Sequence, residues 1–336
     1  MEEKRKFYSR RIPVIMAAAV LLLCLPLIFQ NYAYGLTLCC FAEMYVVASS
    51  GLDVLYGYSG QISFATAAFF GIGGYGSLLI HQYTGLPVLI TMFLAACISA
   101  VIAMIFAFPV SKLRFAFLSL STIAFNHVVY QFITRSPGGI TGDFIGSFTD
   151  PINIAGINMS NATFQETIGF YYFGLAACIV FVTLKVMLMH SRVGRAMLAI
   201  KQNTHAADGM GISVRRYKVY AFGVYGFYAA FGGAMYCHFV KYISPETVQQ
   251  SQSVIYMIMI LFGGICSNWG PVVGAVGIMI VQEILSHAEQ YQLLVYGILL
   301  LVFILFLPRG LVGEISKFIT SRRAGKADRK EVTEDA

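Results

Sequence analysis

The chain has 336 residues, enough for one large or two ordinary soluble domains, yet 58% of them are hydrophobic and only 12% are charged. Soluble domains have roughly 45–50% apolar and about 25% charged residues, so this composition excludes a soluble protein. The formal net charge of +7 does not indicate nucleic-acid binding, because the cations follow the loops of a membrane topology.

The sequence predicts an all-α polytopic membrane protein of about ten transmembrane helices, since its apolar runs are near the roughly 20 residues that cross a bilayer. The first run, Ile12 to Phe29, follows five cations and resembles a signal peptide. Its length and the spans that follow at once favour a retained helix. The other helices are predicted over 35–53, 60–80, 87–110, 116–134, 168–190, 219–241, 252–266, 270–287 and 290–307.

The distribution of Lys and Arg predicts that both termini are cytoplasmic. With an even number of spans, 20 of the 23 cations lie on one side, and an excess of cations marks the cytoplasmic side. Lys185 is expected to snorkel to that side from one turn inside its helix, and Arg135 and Lys241 are the exceptions. The remaining excess of positive charge would attract anionic membrane lipid.

The loops divide the chain into a single transmembrane domain over residues 1–315 and a basic, polar cytoplasmic tail over 316–336. Residues 135–167 form a long, turn-rich external loop, interpreted as a cap over the external mouth. Residues 191–218 form a cytoplasmic loop in which the sequence predicts two short helices. Short helices held between two spans suit docking to a partner protein, and the alternative is a solvated linker.

The cytoplasmic loop contains recognisable helix signals. The first short helix is predicted from Arg192 to Gln202. Asn203 or Thr204 caps the second, and a glycine, Gly209 or Gly211, ends it.

Small residues mark the places where helices in lipid approach closely. Ser59, Ser63, Ala67 and Gly71 repeat every four residues, which predicts that they share one helix face. Two interpretations stay open, helix packing alone or packing combined with a path for a polar solute. The candidate residues for this path and packing are Gly60, Gln61, Ser63, Thr66, Gly71 and Gly270.

Two glycine-rich helices hint at an internal repeat of the kind that transporters use. Gly60-Gln61 opens one of them and Gly270-Pro271 opens the other. They are the third and ninth predicted helices, whereas a five-plus-five repeat would pair the third with the eighth. Either one boundary is wrong or the likeness is accidental.

Ionisable groups at membrane depth are few, and each needs an explanation because an acidic group at a helix centre costs about 2.5–3.5 kcal/mol. Glu43, Asp53, His127 and Glu283 are scattered and not obviously paired, which disfavours a proton relay. Glu43 is either functional or a protonated or hydrogen-bonded packing residue. Asn126-His127 is predicted to be a polar contact between helices.

Enzyme and metal signatures are absent from the sequence. It contains no Gly-x4-Gly-Lys-Ser/Thr, His-Glu-x-x-His, Gly-x-Ser-x-Gly or Cys-x-x-Cys pattern, so no phosphate loop, metal or cofactor is predicted in this chain. The seven cysteines are interpreted as small packing residues.

Four stretches, in order and spacing, resemble the permease subunits of branched-chain amino acid importers of the ATP-binding cassette class, and the second of the two paired permeases in particular. The stretches are Gly57-Tyr-Ser-Gly-Gln-Ile-Ser with Ala67-Ala-Phe-Phe-Gly-Ile-Gly, Ser191-Arg-Val-Gly-Arg-Ala with Ala206-Ala207-x-x-x-Gly211-Ile212, Gly263-Gly264 with Gly270-Pro271-x-x-Gly274-Ala275, and Leu307-Pro-Arg-Gly-Leu311.

The resemblance implies a complex in a bacterial plasma (inner) membrane. An external solute-binding protein delivers Leu, Ile or Val, two different permeases form the pore, and two cytoplasmic ATPase subunits bind ATP and Mg²⁺. In that class the loop reads Glu-Ala-Ala-x-x-x-Gly, and His205 stands here in place of Glu, which puts any salt bridge of that Glu in doubt. The residues implied in ATPase docking are Arg195, His205, Ala206, Ala207 and Gly211.

Three classes of function remain open from the sequence. The first is the importer permease, whose relatives also serve urea, amides or other amino acids. The second is a secondary carrier driven by an ion gradient, which the lack of paired charges at membrane depth disfavours. The third is a membrane-embedded enzyme, which the missing catalytic clusters disfavour.

Overall fold

The computed structural model describes residues 33–113, 115–154, 157–286 and 292–306, with Pro26, Gly310, Leu311 and Gly313. The predicted first helix, apart from Pro26, and the tail over 316–336 lie outside the described residues.

Helices dominate the described part of the chain, with four short strands beside them. The α-helices are α1 (Ala33–Leu52), α2 (Thr66–Thr84), α3 (Val88–Val110), α4 (Phe115–Arg135), α5 (Phe164–His190), α6 (Arg192–Gln202), α7 (Thr204–Gly209), α8 (Val214–Val240), α9 (Gln250–Gly263), α10 (Gly270–Leu285) and α11 (Gln292–Phe306). The strands are β1 (Ser147–Phe148), β2 (Ile152–Ile154), β3 (Ile157–Met159) and β4 (Tyr242–Ile243).

The nine predicted spans that fall in the described residues correspond to α1–α5 and α8–α11, which confirms an all-α membrane architecture. Within the described residues, four segments are long and apolar enough to cross a membrane by length and composition: Tyr34–Tyr58, Val88–Val110, Ala116–Arg135 and Phe164–His190. The total of ten spans and the internal repeat stay predictions.

The predicted helix over 60–80 begins later in the structure. A π-helical turn, Asp53–Tyr58, extends α1, the chain is non-helical over 59–65, and α2 begins at Thr66. Gly60 adopts a left-handed φ of +71°, which interrupts the helix. Ser59 and Ser63 therefore do not share a helix face with Ala67 and Gly71, and that prediction is wrong.

Side chains from distant helices satisfy the backbone of this interruption. Thr122 Oγ1 accepts from Phe64 N at 3.0 Å, and Gln250 Nε2 donates to Phe64 O at 3.3 Å. Ser253 Oγ accepts from Ala67 N at 3.0 Å, in the first turn of α2. Helix starts leave such N–H groups without intrahelical partners, and here the partners come from α4 and α9.

Helix α8 lies at the centre of the described fold, packed against α1, α2 and α3. It crosses α2 where two glycines allow the backbones to touch. A Cβ on Gly73 would overlap the carbonyl of Ala230, and one on Gly233 would overlap the carbonyl of Phe70. This crossing confirms that small residues near 57–76 serve close helix packing.

The loop over 135–167 is tied to the end of the helices. Strand β1 pairs with β4 and β2 pairs with β3, both antiparallel. The Asp150 carbonyl lies 2.7 Å from His238 Nδ1, so that nitrogen is the donor, and the Asp150 carboxylate lies 3.2 Å from His81 Nε2. The loop is thus held against α2 and α8.

We expect Gly73→Ala to destabilise the protein by about 1–3 kcal/mol, because the added methyl group forces α2 and α8 apart. Gly76→Ala on the same helix is the matched control, since its Cβ would lie 3.4 Å from Ala95 Cβ, an ordinary contact. Thermal unfolding in detergent measures both. Equal midpoints for the two variants would contradict the crossing.

Candidate functional site

The basic loop, residues 191–213, holds α6 and α7 at one end of the helices, which we call the basic end. Ser191 Oγ caps α6 by accepting from Val193 N at 3.2 Å and Gly194 N at 3.5 Å. The buried side of α6 carries Met197 and Ile200. The helix therefore lies fixed against the membrane domain through an apolar face.

The short helix α7 begins and ends as the sequence predicts. Asn203 Oδ1 accepts from His205 N at 3.0 Å and from Ala206 N at 3.1 Å. Gly211 closes the following turn with a left-handed φ of +81°, a conformation that a β-branched residue resists.

The structure separates the predicted docking residues by exposure. Arg195, His205, Ala206 and Gly211 are exposed, and the Arg195 guanidinium donates to His190 O at 3.1 Å. Ala207 is only 2% exposed, since its side of α7 packs inward. Its side chain therefore does not lie on the exposed side of α7, and its part in ATPase docking stays a prediction.

Met210 is the loop residue that sequence reasoning missed. Its side chain is 81% exposed, directly before the left-handed Gly211. The helical period was the available signal, because residues four apart lie on one face, and Met210 follows the exposed Ala206 by four.

A buried ion pair lies beside the basic loop. Lys185 Nζ is 2.6 Å from Asp53 Oδ2, and both side chains are fully buried. Lys185 also donates to Ser267 O at 3.0 Å. The expectations that Lys185 snorkels and that Asp53 has no obvious partner are both wrong, because the π-helical turn brings the carboxylate to the inner face of α5.

The turn between α9 and α10 completes this site. Cys266 N donates to Asp53 Oδ1 at 3.0 Å, and Cys266 Sγ donates to Gly57 O at 2.7 Å. Lys201, from the last turn of α6, donates to Gly57 O at 2.6 Å and to Cys266 Sγ at 3.1 Å. We call Asp53, Gly57, Lys185, Lys201 and Cys266 the polar hub.

The protonation of Cys266 suits its role as a donor in the hub. The structure ends α9 at Gly263, so the thiol lies in a turn outside the helix. Burial raises the pKa of the Cys266 thiol, and the Lys201 ammonium opposes that rise only in part. The thiol therefore keeps its proton and can donate it to Gly57 O.

The polar residues singled out for a solute path make packing contacts. Ser63 Oγ and Thr66 Oγ1 lie 3.2 and 2.8 Å from the hydroxyl of Tyr225 on α8. Gln61 is buried and donates to Lys218 O at 3.3 Å. These contacts join α2 and the segment before it to α8, and a solute path there stays a prediction.

The three glycines of the same set lie in separate places. A Cβ on Gly60 would lie 3.1 Å from Lys201 Cγ. One on Gly71 would overlap Val248, and one on Gly270 would overlap the Gly264 carbonyl. Gly60 thus belongs beside the polar hub, while Gly71 and Gly270 allow close packing elsewhere.

The remaining ionisable groups have different environments. Glu43 is 8% exposed against Gly174, and its carboxylate has no hydrogen-bond partner among the described residues. Glu283 accepts from the Tyr34 hydroxyl at 2.8 Å.

The predicted polar contact between helices at Asn126-His127 is confirmed for Asn126 alone. Asn126 is buried, donates to Val248 O at 3.1 Å and accepts from Ser253 Oγ at 3.4 Å, so it joins α4 to α9. His127 is exposed on α4, and the prediction is wrong for that residue because consecutive helical residues lie about 100° apart around the axis, so the two side chains leave α4 in different directions.

The described residues contain no group of three His, Cys, Asp or Glu side chains placed to hold a metal ion. The six described cysteines are free thiols.

Comparison with known proteins matches the chain to one family over most of its length. The sequence profile described as "Branched-chain amino acid transport system / permease component" matches residues 34–305. No solved structure matches the chain.

Curated permease proteins show similarity across the chain. The high-affinity branched-chain amino acid transport system permease protein LivM of Salmonella typhimurium is 26% identical over 290 residues, covering 80% of this chain and 68% of the relative. The corresponding protein LivH of the same organism is 24% identical over 307 residues, covering 84% and 95%. The ribose import permease protein RbsC of Bacillus subtilis is 29% identical over 172 residues, covering 47% and 53%.

We expect Asp53→Asn or Lys185→Met alone to destabilise the protein by about 3–5 kcal/mol, because each leaves one buried charge without its partner. The double variant should recover most of that loss. Thermal unfolding in detergent measures all three variants.

Lys241→Met is the control for that experiment. Lys241 Nζ lies 3.8 Å from Glu166 Oε2 in a partly exposed pair, so its removal should cost less than about 1 kcal/mol. A double variant no more stable than the single ones would contradict the pairing.

Proposed function

This chain belongs to the family of permease components of branched-chain amino acid transport systems, and from that membership we propose that it moves Leu, Ile or Val as one of two different permease subunits of an ATP-driven importer. The observation that carries this proposal is the exposed helix α7, held by α6 against the basic end of the membrane domain. Such a helix offers a rigid contact surface for an ATPase subunit.

The partners follow from the same premise. Two ATPase subunits at the basic end bind ATP and Mg²⁺, so this chain needs no cofactor of its own. A solute-binding protein delivers substrate to the opposite end, where the loop over 135–167 lies. The greater identity to LivM than to LivH supports the second-permease type.

The docking surface is the exposed side of α7 and the turn that follows it. Ala206 offers a small contact, and Met210 offers an adaptable apolar one. His205 stands where the wider class has Glu, so the salt bridge of that Glu is replaced by contacts of this apolar surface.

The substrate class is tested separately from the assembly of the importer. One relative is named as a ribose import permease, so proteins similar to this chain are named for chemically different solutes. Uptake of labelled Leu by the assembled complex, in competition with Ile, Val, ribose and urea, tests the class. Competition by Ile and Val and none by ribose or urea is expected.

We predict that the basic end faces the cytoplasm, since cations mark that side. In a chain cleared of its cysteines, Asp150→Cys and His205→Cys should react with an impermeant maleimide from opposite sides. The Asp150 side chain is 80% exposed and His205 is exposed. In right-side-out vesicles only the residue 150 variant should label, and labelling of both from outside would overturn the topology.

Ala206→Glu should weaken co-purification of the ATPase subunits by about tenfold or more, or about 1.4 kcal/mol, because an interface then buries an unpaired carboxylate. Leucine uptake should fall with it. Ala206→Ser is the matched control and should keep both. Normal co-purification and uptake for Ala206→Glu would show that α7 does not dock.

A further inference from the structure

Lys201 connects the basic loop to two turns of the membrane domain. Its ammonium donates to the Gly57 carbonyl at 2.6 Å, inside the π-helical turn that ends α1. It also donates to Cys266 Sγ at 3.1 Å, in the turn between α9 and α10. Among the described residues, it is the side chain of the basic loop that donates to both turns.

The two turns are joined to each other as well. Cys266 donates its N–H to Asp53 and its S–H to Gly57. The Tyr58 hydroxyl donates a hydrogen bond to the Cys266 carbonyl at 3.2 Å. Cys266 adopts a left-handed φ of +59°, which a non-glycine residue holds only when its surroundings enforce it. The two turns therefore form one unit around the Asp53–Lys185 pair.

The approach of Lys201 to this unit depends on a missing side chain. A Cβ on Gly60 would stand 3.1 Å from Lys201 Cγ, so the glycine leaves room for the lysine stem. Gly60 also lies near the start of the non-helical segment that precedes α2. The lysine thus lies where α1 ends, where the chain turns towards α2, and beside the α9–α10 turn.

The exposure of Lys201 separates its role from that of the buried pair. Unlike Lys185, Lys201 belongs to the exposed residues, and hydrogen bonds of exposed cations add little to stability. Its bonds nevertheless fix one direction of contact between α6 and the two turns, because its carbonyl acceptor is backbone and cannot rotate away.

We propose that Lys201 is a positioning residue that transmits movement of the docked basic loop to the breaks at the ends of α1 and α9. The inference rests on the proposed function, since it needs ATPase subunits on the loop. When those subunits move α7 and α6, Lys201 draws the π-helical turn and the α9–α10 turn with them. The end of α1, the end of α9 and the start of α10 then move together.

The test uses the assembled importer in lipid vesicles, with both permeases, the ATPases and the binding protein. Lys201→Met keeps most of the stem but removes the donor. Leucine uptake per ATP hydrolysed should fall by about tenfold, within the usual range of coupling between sites. ATPase co-purification and the thermal midpoint should stay unchanged.

Two further variants sharpen the result. Lys201→Arg keeps a cationic donor and should recover part of the uptake per ATP. Arg192→Met removes an exposed cation from the first turn of the same helix and should leave uptake per ATP unchanged. An equal effect of Arg192→Met and Lys201→Met would overturn the proposal, because general loss of charge would then explain both.

Each of the other outcomes contradicts either the role of Lys201 or the proposed function. Unchanged uptake per ATP in Lys201→Met overturns the transmitting role. Lost ATPase binding or a midpoint lowered by several degrees overturns it too, since Lys201 would then act in the stability of the loop. Failure of the unmodified chain to bind any ATPase is a separate result that refutes the proposed function first.

Discussion

Two fully buried opposite charges, Asp53 and Lys185, set the constraint around which the basic end is built. At membrane depth either charge alone is costly, so the segments that carry them must meet and stay together. One lies in the π-helical turn after α1 and the other on α5. Their remaining hydrogen bonds go to backbone of the α9–α10 turn, at Cys266 and Ser267. One ion pair thus fixes the relative position of three distant parts of the chain.

The same need to satisfy polar groups explains the break over 59–65. Non-helical backbone is tolerated at membrane depth only where protein or water surrounds it. Here the surrounding protein supplies the partners, since Thr122, Gln250 and Ser253 bond the backbone of the break and of the first turn of α2. The break places Gly60 beside α6, so the non-helical segment 59–65 contacts the basic loop.

The sequence predicted what local patterns determine and missed what distant residues decide. Runs of apolar residues located the helices, because bilayer thickness fixes their length. The start of α2 at Thr66 was missed because its hydrogen-bond partners lie on α4 and α9. A lysine near a helix end can either extend its ammonium to the membrane surface or form a buried ion pair, and the sequence does not distinguish the two. The fold shows that Lys185 pairs with Asp53. The inward side of Ala207 was missed because the packing of a six-residue helix depends on its neighbours.

The exceptions in the charge distribution fit the fold once their partners are known. Two cations fell outside the basic side in the sequence, Arg135 and Lys241, and Lys185 was expected to snorkel to that side. Lys185 is neutralised by Asp53, and Lys241 lies 3.8 Å from Glu166. Pairing therefore accounts for Lys241, one of the two exceptions, and leaves Arg135, while Lys185 meets Asp53 inside the fold instead of reaching the basic side.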